Sequence, residues 1–285
     1  MKKVAISYAD ERYKLQQRYN TKTAYRKGKF DQVIEYSPSD VDEQFKRDNK
    51  EILSQSRGGG YWLWKPYIIK KTLEQLQDGD YLFYCDAGAF YIKNINYLIK
   101  EMEKRKESIM LFELALIEKE WNKRDALILM ACDSSPFYDT NQVLATCMLL
   151  KKNSETLEFI DQYLSWCQDP RILTDMKNTQ GLDNHIEFID HRHDQSVLSL
   201  LSKKHHIKPY RDPSQWGFAK GYDNSKGISR RYRDTTYPQI LVSCRGSNPR
   251  TFLITSKLTV VITQVKKYCP NTVKIIKKVR DIVLR

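Results

Sequence analysis

Residues 77–90 read QDGDYLFYCDAGAF. Gln77 to Asp80 form a turn signal, and Tyr81 to Cys85 form a short apolar run that suits a buried strand. Asp86 ends the run. In an open α/β sheet, ligands bind outside the carboxyl ends of the strands. A carboxylate at that point is costly unless something binds it. Mg²⁺ or Mn²⁺ would do so, because both favour carboxylate oxygens and bridge to a diphosphate. The small Ala87 and Gly88 would let a diphosphate approach the backbone. The alternative is an Asp that only starts the next turn.

Outward from this strand, helix and strand patterns alternate in short units. Strands are expected at 3–8, from Asp31 to Pro38, at 109–115 and within 141–153. Helices are expected at 11–28, from a cap at Ser39 and Asp40 through Phe45 and Ile52, from Pro66 through Leu76, and at 94–106, 124–133, 154–168 and 194–205. Residues 171–190 read as loop. The alternation predicts an α/β domain with a mixed, mainly parallel sheet flanked by helices over residues 1–245. Residues 246–285 read as a basic appendage. Within it Val273, Ile276, Val279 and Val283 recur at helical spacing beside several lysines. That stripe would either lie on an anionic bilayer or pack on the domain.

Composition narrows the classes. At 41% hydrophobic and 29% charged residues, the 285-residue chain is too apolar to be disordered. The formal charge of +13 favours anionic partners. No aromatic-plus-basic nucleic-acid signature is present, so nucleic acid is not an expected partner. The 18 tyrosines suit either a sugar-lined cleft or an ordinary core. Six scattered cysteines without a CxxC pair fit a reduced setting. The opening apolar stretch is too short for a signal peptide, and no run approaches the ~18 residues of a membrane helix. The expected location is cytoplasmic, peripheral on the inner face of a membrane if the basic stripe binds there.

Four segments stand out along the chain: the opening strand (3–8), GGGYWLWKPY (58–67), the CDAG strand end (85–88) and FIDHRHDQSVLSLL (188–201). Together, and in this order, they resemble the GT-A glycosyltransferases of bacterial capsule and lipopolysaccharide synthesis. They are also similar in pattern to the glycogenin-like and lipopolysaccharide galactosyltransferase families. The resemblance spans roughly residues 3–210. It implies a GT-A, Rossmann-like domain that moves a hexose from a nucleotide diphosphate sugar, UDP-linked, to a saccharide or glycolipid acceptor. By position it sets Asp86 at the metal-binding motif, Lys65 facing the nucleotide-sugar, and Asp194 with Gln195 beside the transferred sugar. The Asp-Gln pair points to retention of configuration. The pattern departs at Gly88, where the family carries a second Asp, and at Ser196. A second ligand for Mn²⁺ or Mg²⁺ would come from His191, His193 or another acid; otherwise Lys and Arg would hold the phosphates.

Other candidates keep two readings each. His193 or Asp194 could simply cap the helix that follows. HRHD lacks the spacing of a zinc hydrolase. Arg57 with Gly58 to Gly60 would form a phosphate-facing loop or a plain hinge. Tyr8 and Asp10 would meet the base and ribose, or Asp10 would cap a helix. Asp133 and Gln142 fall on the acceptor side of the family pattern, yet Asp133 also fits a turn. Trp62 and Trp64 would wall a sugar site or fill the core. Besides an enzyme, a non-catalytic carbohydrate- or nucleotide-binding protein on a decayed transferase fold fits the lone Asp86.

Overall fold

The computed structural model describes residues 1–218, 232–245, 247–249 and 251–252. The amphipathic stripe expected at 272–285 and Cys269 lie outside them. Five strands form the central sheet: β1 (Lys3–Tyr8), β2 (Gln32–Tyr36), β3 (Tyr81–Cys85), β5 (Ile109–Ile117) and β6 (Asn141–Lys151). Their order is β2-β1-β3-β6-β5. β1 pairs in parallel with β2 and β3, whereas β6 runs antiparallel to both β3 and β5. Four of the strands therefore point one way and β6 the other. A separate two-stranded ribbon joins β4 (Ala89–Tyr91) to β7 (Leu241–Ser243).

The sheet has this shape because its central strands are buried on both faces. Side chains alternate along a strand. Val4, Ile6, Leu82 and Tyr84 point into one core, and Ala5, Tyr81, Phe83 and Cys85 into the other. The first core is covered by α2 (Trp64–Glu74), α4 (Arg124–Leu129), α5 (Ser154–Cys167) and α6 (Asp194–Lys204), through Ile68, Leu127, Phe159 and Leu198 among others. The second is covered by α3 (Asn96–Lys104), whose Leu98 and Met102 are fully buried, and by Ala24, which follows α1 (Lys14–Thr23). Asn20 of α1 donates to the Ala89 carbonyl at 2.8 Å. This is the expected α/β architecture with a mixed sheet. Among the described residues no helix is long and apolar enough to cross a membrane.

Two local expectations change. The helix Glu43–Asp48 is capped by Asp42, which accepts from the Gln44 and Phe45 N–H groups, and not by Ser39 or Asp40. Pro38–Asp40 is instead a single 3₁₀ turn closed by a Ser37–Asp40 capping box, and the chain leaves it in extended Val41. The glycine run is also more than a hinge. Gly58, Gly59, Gly60, Tyr61 and Trp62 all have positive φ, at 60°, 59°, 91°, 50° and 60°. Tyr61 N–H reaches the Arg57 carbonyl at 2.7 Å and Trp62 N–H the Gly58 carbonyl at 3.3 Å. The result is one turn of left-handed helix, which disfavours L side chains by roughly 1–2 kcal/mol per residue. Glycine removes that cost at three positions. At Gly60 it is also required by space, since a Cβ would lie 2.7 Å from Leu53 Cα.

Candidate active site

β3, α2 and α6 converge at the carboxyl end of β3. Asp86 follows the strand, with its N–H bonded to the Thr146 carbonyl of β6 at 2.8 Å. Its side chain is 38% exposed, and Oδ1 accepts from Tyr84 Oη at 2.5 Å. Lys65 lies in the first turn of α2 with only 3% of its side chain exposed. Its ammonium stands 2.6 Å from Asp194 Oδ2, 3.2 Å from the Ala145 carbonyl and 3.6 Å from Asp86 Oδ1. Asp194 opens α6, is itself 6% exposed, and also accepts from Tyr163 Oη at 3.3 Å. The structure thus brings together Asp86, Lys65 and Asp194. Burial pulls the Lys65 ammonium down, but Asp194 and Asp86 outweigh it and hold the group above its ordinary value. Burial raises the Asp194 carboxyl, and Lys65 offsets part of that rise. Each ammonium donor thereby has an acceptor within the protein. Lys65, expected to face the nucleotide-sugar, is paired within the protein to both carboxylates.

Gln195 lies beside this cluster. Its Oε1 is 3.4 Å from the Ala145 N–H, and its Nε2 donates to Gln142 Oε1 at 2.8 Å. Gln142 is fully buried and donates in turn to Glu118 Oε2 at 3.0 Å. Glu118 is also fully buried and accepts from Asn122, Ser199 and Lys203. An acceptor-facing role for Gln142 is therefore corrected: burial leaves it no surface, and it fixes the amide orientation of Gln195. Asp133, the other acceptor-side candidate, is clamped by Arg124 at 3.1 and 3.0 Å, with His185 at 3.8 Å. It joins two segments of chain instead of presenting a carboxylate.

The histidines do not complete a metal site. His191 Nδ1 accepts from the Lys123 N–H at 3.2 Å while Nε2 meets the Ile172 carbonyl at 2.8 Å, so both ring nitrogens are engaged. His193 Nδ1 meets the Leu173 carbonyl at 2.9 Å, and its Nε2 turns to Asp175 at 3.9 Å. Burial holds both rings below their ordinary value, His191 well below it. Among the described residues no group of three His, Cys, Asp or Glu could hold a metal ion. Asp86 remains as one carboxylate with an ammonium already beside it. These residues do not fit a divalent-cation site built by the protein.

The remaining candidates divide. Arg57 bridges Asp175 at 2.8 Å and Asp190 at 3.0 Å. Asp10 caps the first 3₁₀ turn by accepting from the Tyr13 N–H at 3.2 Å. Half-buried Tyr8 stacks on Trp64 with ring centres 3.7 Å apart, and its phenol is pushed up to about 12 by burial, then Asp10 and Asp40. Trp64 is core, as one of the two readings held. Trp62 stacks on His193 at 5.5 Å. Ala87 is buried, and the space over Gly88 is occupied by the chain itself. Cys244 and Arg245 N–H groups both donate to the Gly88 carbonyl, at 2.8 and 2.7 Å. A Cβ at Gly88 would come within 2.8 Å of Arg245 Cα. Sequence reasoning missed Tyr84, Tyr163, Glu118 and Arg245; the first three are single residues in ordinary apolar or helical runs, with no local signature.

No protein-family model matches the chain, and no curated protein matches it. Among solved structures it is similar to mouse xyloside xylosyltransferase 1 in the apo form, at 13% identity over 88% of this chain and 99% of that one, with a TM-score of 0.46. It is similar to the galactosyltransferase LgtC in complex with donor and acceptor sugar analogs, at 11% identity over 84% and 86% of the two chains, with a TM-score of 0.44. It is also similar to the apo glycosyltransferase GlyE of Streptococcus pneumoniae TIGR4, at 14% identity over 72% and 44%, with a TM-score of 0.36. Overlaps of this size carry no activity, substrate or residue role over to this chain.

Proposed function

We propose that the chain is a glycosyltransferase that moves a hexose from a UDP-linked sugar to a saccharide or glycolipid acceptor. The observation that carries this reading is the Lys65 ammonium held between Asp86 and Asp194 at the end of β3. It unites, at the carboxyl end of the strand, where open α/β sheets bind ligands, three of the segments on which the sequence resemblance rests. Transfer from a nucleotide sugar needs acceptor oxygens near an anomeric centre that becomes positive. Asp194 and the Oε1 of Gln195 would supply them, with retention of configuration. Partly exposed Asp86 would contact the donor, and Lys65 would set its charge and position. Synthesis of a surface polysaccharide or lipopolysaccharide at the inner face of a membrane belongs to the same reading, supported by the net charge of +13. No step is assigned to a divalent cation, because among the described residues no three His, Cys, Asp or Glu side chains group to hold one.

The test is Asp86→Asn. Turnover of UDP-glucose and UDP-galactose, followed by phosphorus NMR, is expected to fall at least ~100-fold, on the scale of a lost transition-state contact. The melting temperature should move by no more than about 2 °C, since the side chain is partly exposed. Wild-type turnover in this variant would refute the site. A second reading, a carbohydrate- or nucleotide-binding protein without catalysis, is favoured by Gly88 in place of a second acid. Saturable UDP binding with no turnover of either donor would decide for it.

A further inference from the structure

Gln195, Ser199 and Lys203 follow one another at four-residue steps along α6 and so share one of its faces. All three, directly or through Gln142, meet the carboxylate of Glu118, which is fully buried just after β5. Glu118 receives four donors: the Lys203 ammonium, Ser199 Oγ, Asn122 Nδ2 and, at 3.0 Å, Gln142 Nε2. The Ser199 oxygen in turn accepts from the Val143 N–H at 2.7 Å and from Lys203 at 3.0 Å, so its one proton is committed to Glu118. As an ion pair with Lys203, the carboxylate gains the fold little. It has another property that an amide lacks: it only accepts. The Gln142 atom that faces Glu118 must therefore be its nitrogen, and the Trp121 carbonyl, 3.4 Å from the same atom, demands nitrogen too. The Gln142 oxygen is thereby turned to Gln195, at 2.8 Å. Only a donor can meet it, so half-buried Gln195 turns its nitrogen inward and its oxygen away. That oxygen has the Ala145 N–H at 3.4 Å, a long contact that leaves it able to accept from a ligand. Ala145 is also the residue whose carbonyl takes the Lys65 ammonium.

We infer that Glu118, acting through Gln142, is a positioning residue that makes Gln195 present its amide oxygen rather than its nitrogen to a bound sugar. A side-chain amide is nearly symmetric in shape, so packing alone would hold either end out equally well. The two ends differ in sign. An oxygen stabilises a carbon that gains positive charge, and an NH₂ group repels it. One acceptor-only group, two hydrogen bonds away, thus fixes the sign at the site. Sugar hydroxyls both donate and accept, so binding as such asks for no such choice, and the effect falls on the chemical step. This inference rests on the transferase reading for its chemical consequence, but the orientation of the amide stands apart from turnover.

Two measurements test it. Glu118→Gln keeps the shape but can donate, which lets the line of amides reverse. With UDP-glucose or UDP-galactose as donor, kcat is expected to fall about 10-fold or more while KM moves by less than about threefold. In a Gln195→Ala background the same change should cost kcat less than about twofold, because Glu118 then has nothing left to orient. Equal losses in the two backgrounds, or wild-type kcat in Glu118→Gln, would overturn the inference. Where Lys203, left without its carboxylate, unsettles the fold, Glu118→Gln combined with Lys203→Met carries the same readouts. Neutron diffraction on the deuterated protein locates the Gln195 side-chain deuterons whether or not there is turnover. In the wild type they are expected on the atom facing Gln142, and in Glu118→Gln on either atom. Deuterons on the atom facing Ala145 in an active wild-type protein would remove the inference and leave the transferase. The expected deuterons in both proteins, without turnover of any donor by the wild type, would keep the positioning and remove the transferase.

Discussion

Lys65 carries a charge into a place that water does not reach, and two carboxylates make that tolerable. A buried ion pair adds little net stability, but removing one member strands the other. Lys65→Met should therefore lower unfolding free energy by about 3–5 kcal/mol, read from urea denaturation. Adding Asp194→Asn to the same protein should restore part of the loss, because the stranded charge is then gone. Asp86 was legible in the sequence, since an acid that closes a five-residue apolar run stands at a strand end. Asp194 and Gln195 were legible only through the order of several motifs. Tyr84 and Tyr163 were not: each is one of 18 tyrosines, and only the packed sheet brings its hydroxyl to a carboxylate. The true partners of His191 and His193 were equally hidden. They are the carbonyls of Ile172 and Leu173, and a carbonyl leaves no trace in a sequence.

At the scale of elements, the left-handed turn from Gly58 to Trp62 is the most constrained piece of backbone. Glycine explains its first three residues. Tyr61 and Trp62 hold the same conformation because tertiary contacts fix them: Tyr61 Oη donates to Asp175 at 3.0 Å, and Trp62 lies on His193. This is why the glycine run announced unusual geometry but not its extent. Gly60→Ala should destabilise the protein by at least ~2 kcal/mol in thermal or urea melts, combining left-handed strain with the approach to Leu53. Gly59→Ala should cost less, since the nearest atom to its Cβ would be 3.7 Å away. The direction of β6 was another element-level unknown. Its apolar run predicts a buried strand, but periodicity does not encode whether a strand runs with its neighbours or against them. The β4–β7 ribbon was hidden too, as three-residue strands carry almost no pattern.

For the molecule as a whole, the buried histidines set a pH response. Burial holds His191 and His193 below the ordinary 6.5, with His193 adding to the effect on His191. The unfolded chain binds protons at these positions first. Their contribution to stability is therefore complete above pH 6.5 and lost as pH falls from there toward the depressed folded values. The loss should be at most about 1.4 kcal/mol per pH unit for each histidine. Urea midpoints between pH 5 and 7.5 measure it, and His191→Gln should flatten the slope. A midpoint that stays level over that range would show that the folded protein takes up protons as readily as the unfolded chain. At this scale the layered α/β plan was readable, because strands buried on both faces and amphipathic helices leave clear periodicities.

The Gly88 carbonyl holds the backbone of residues 244 and 245 against the chain just after Asp86. A shortened protein ending at residue 240 would keep all five strands of the central sheet and both of its cores' strand faces. It would nonetheless lose Leu241 from the second core and the pairing of β4 with β7. The cover over Gly88 thus comes from a stretch outside the central sheet, after residue 240.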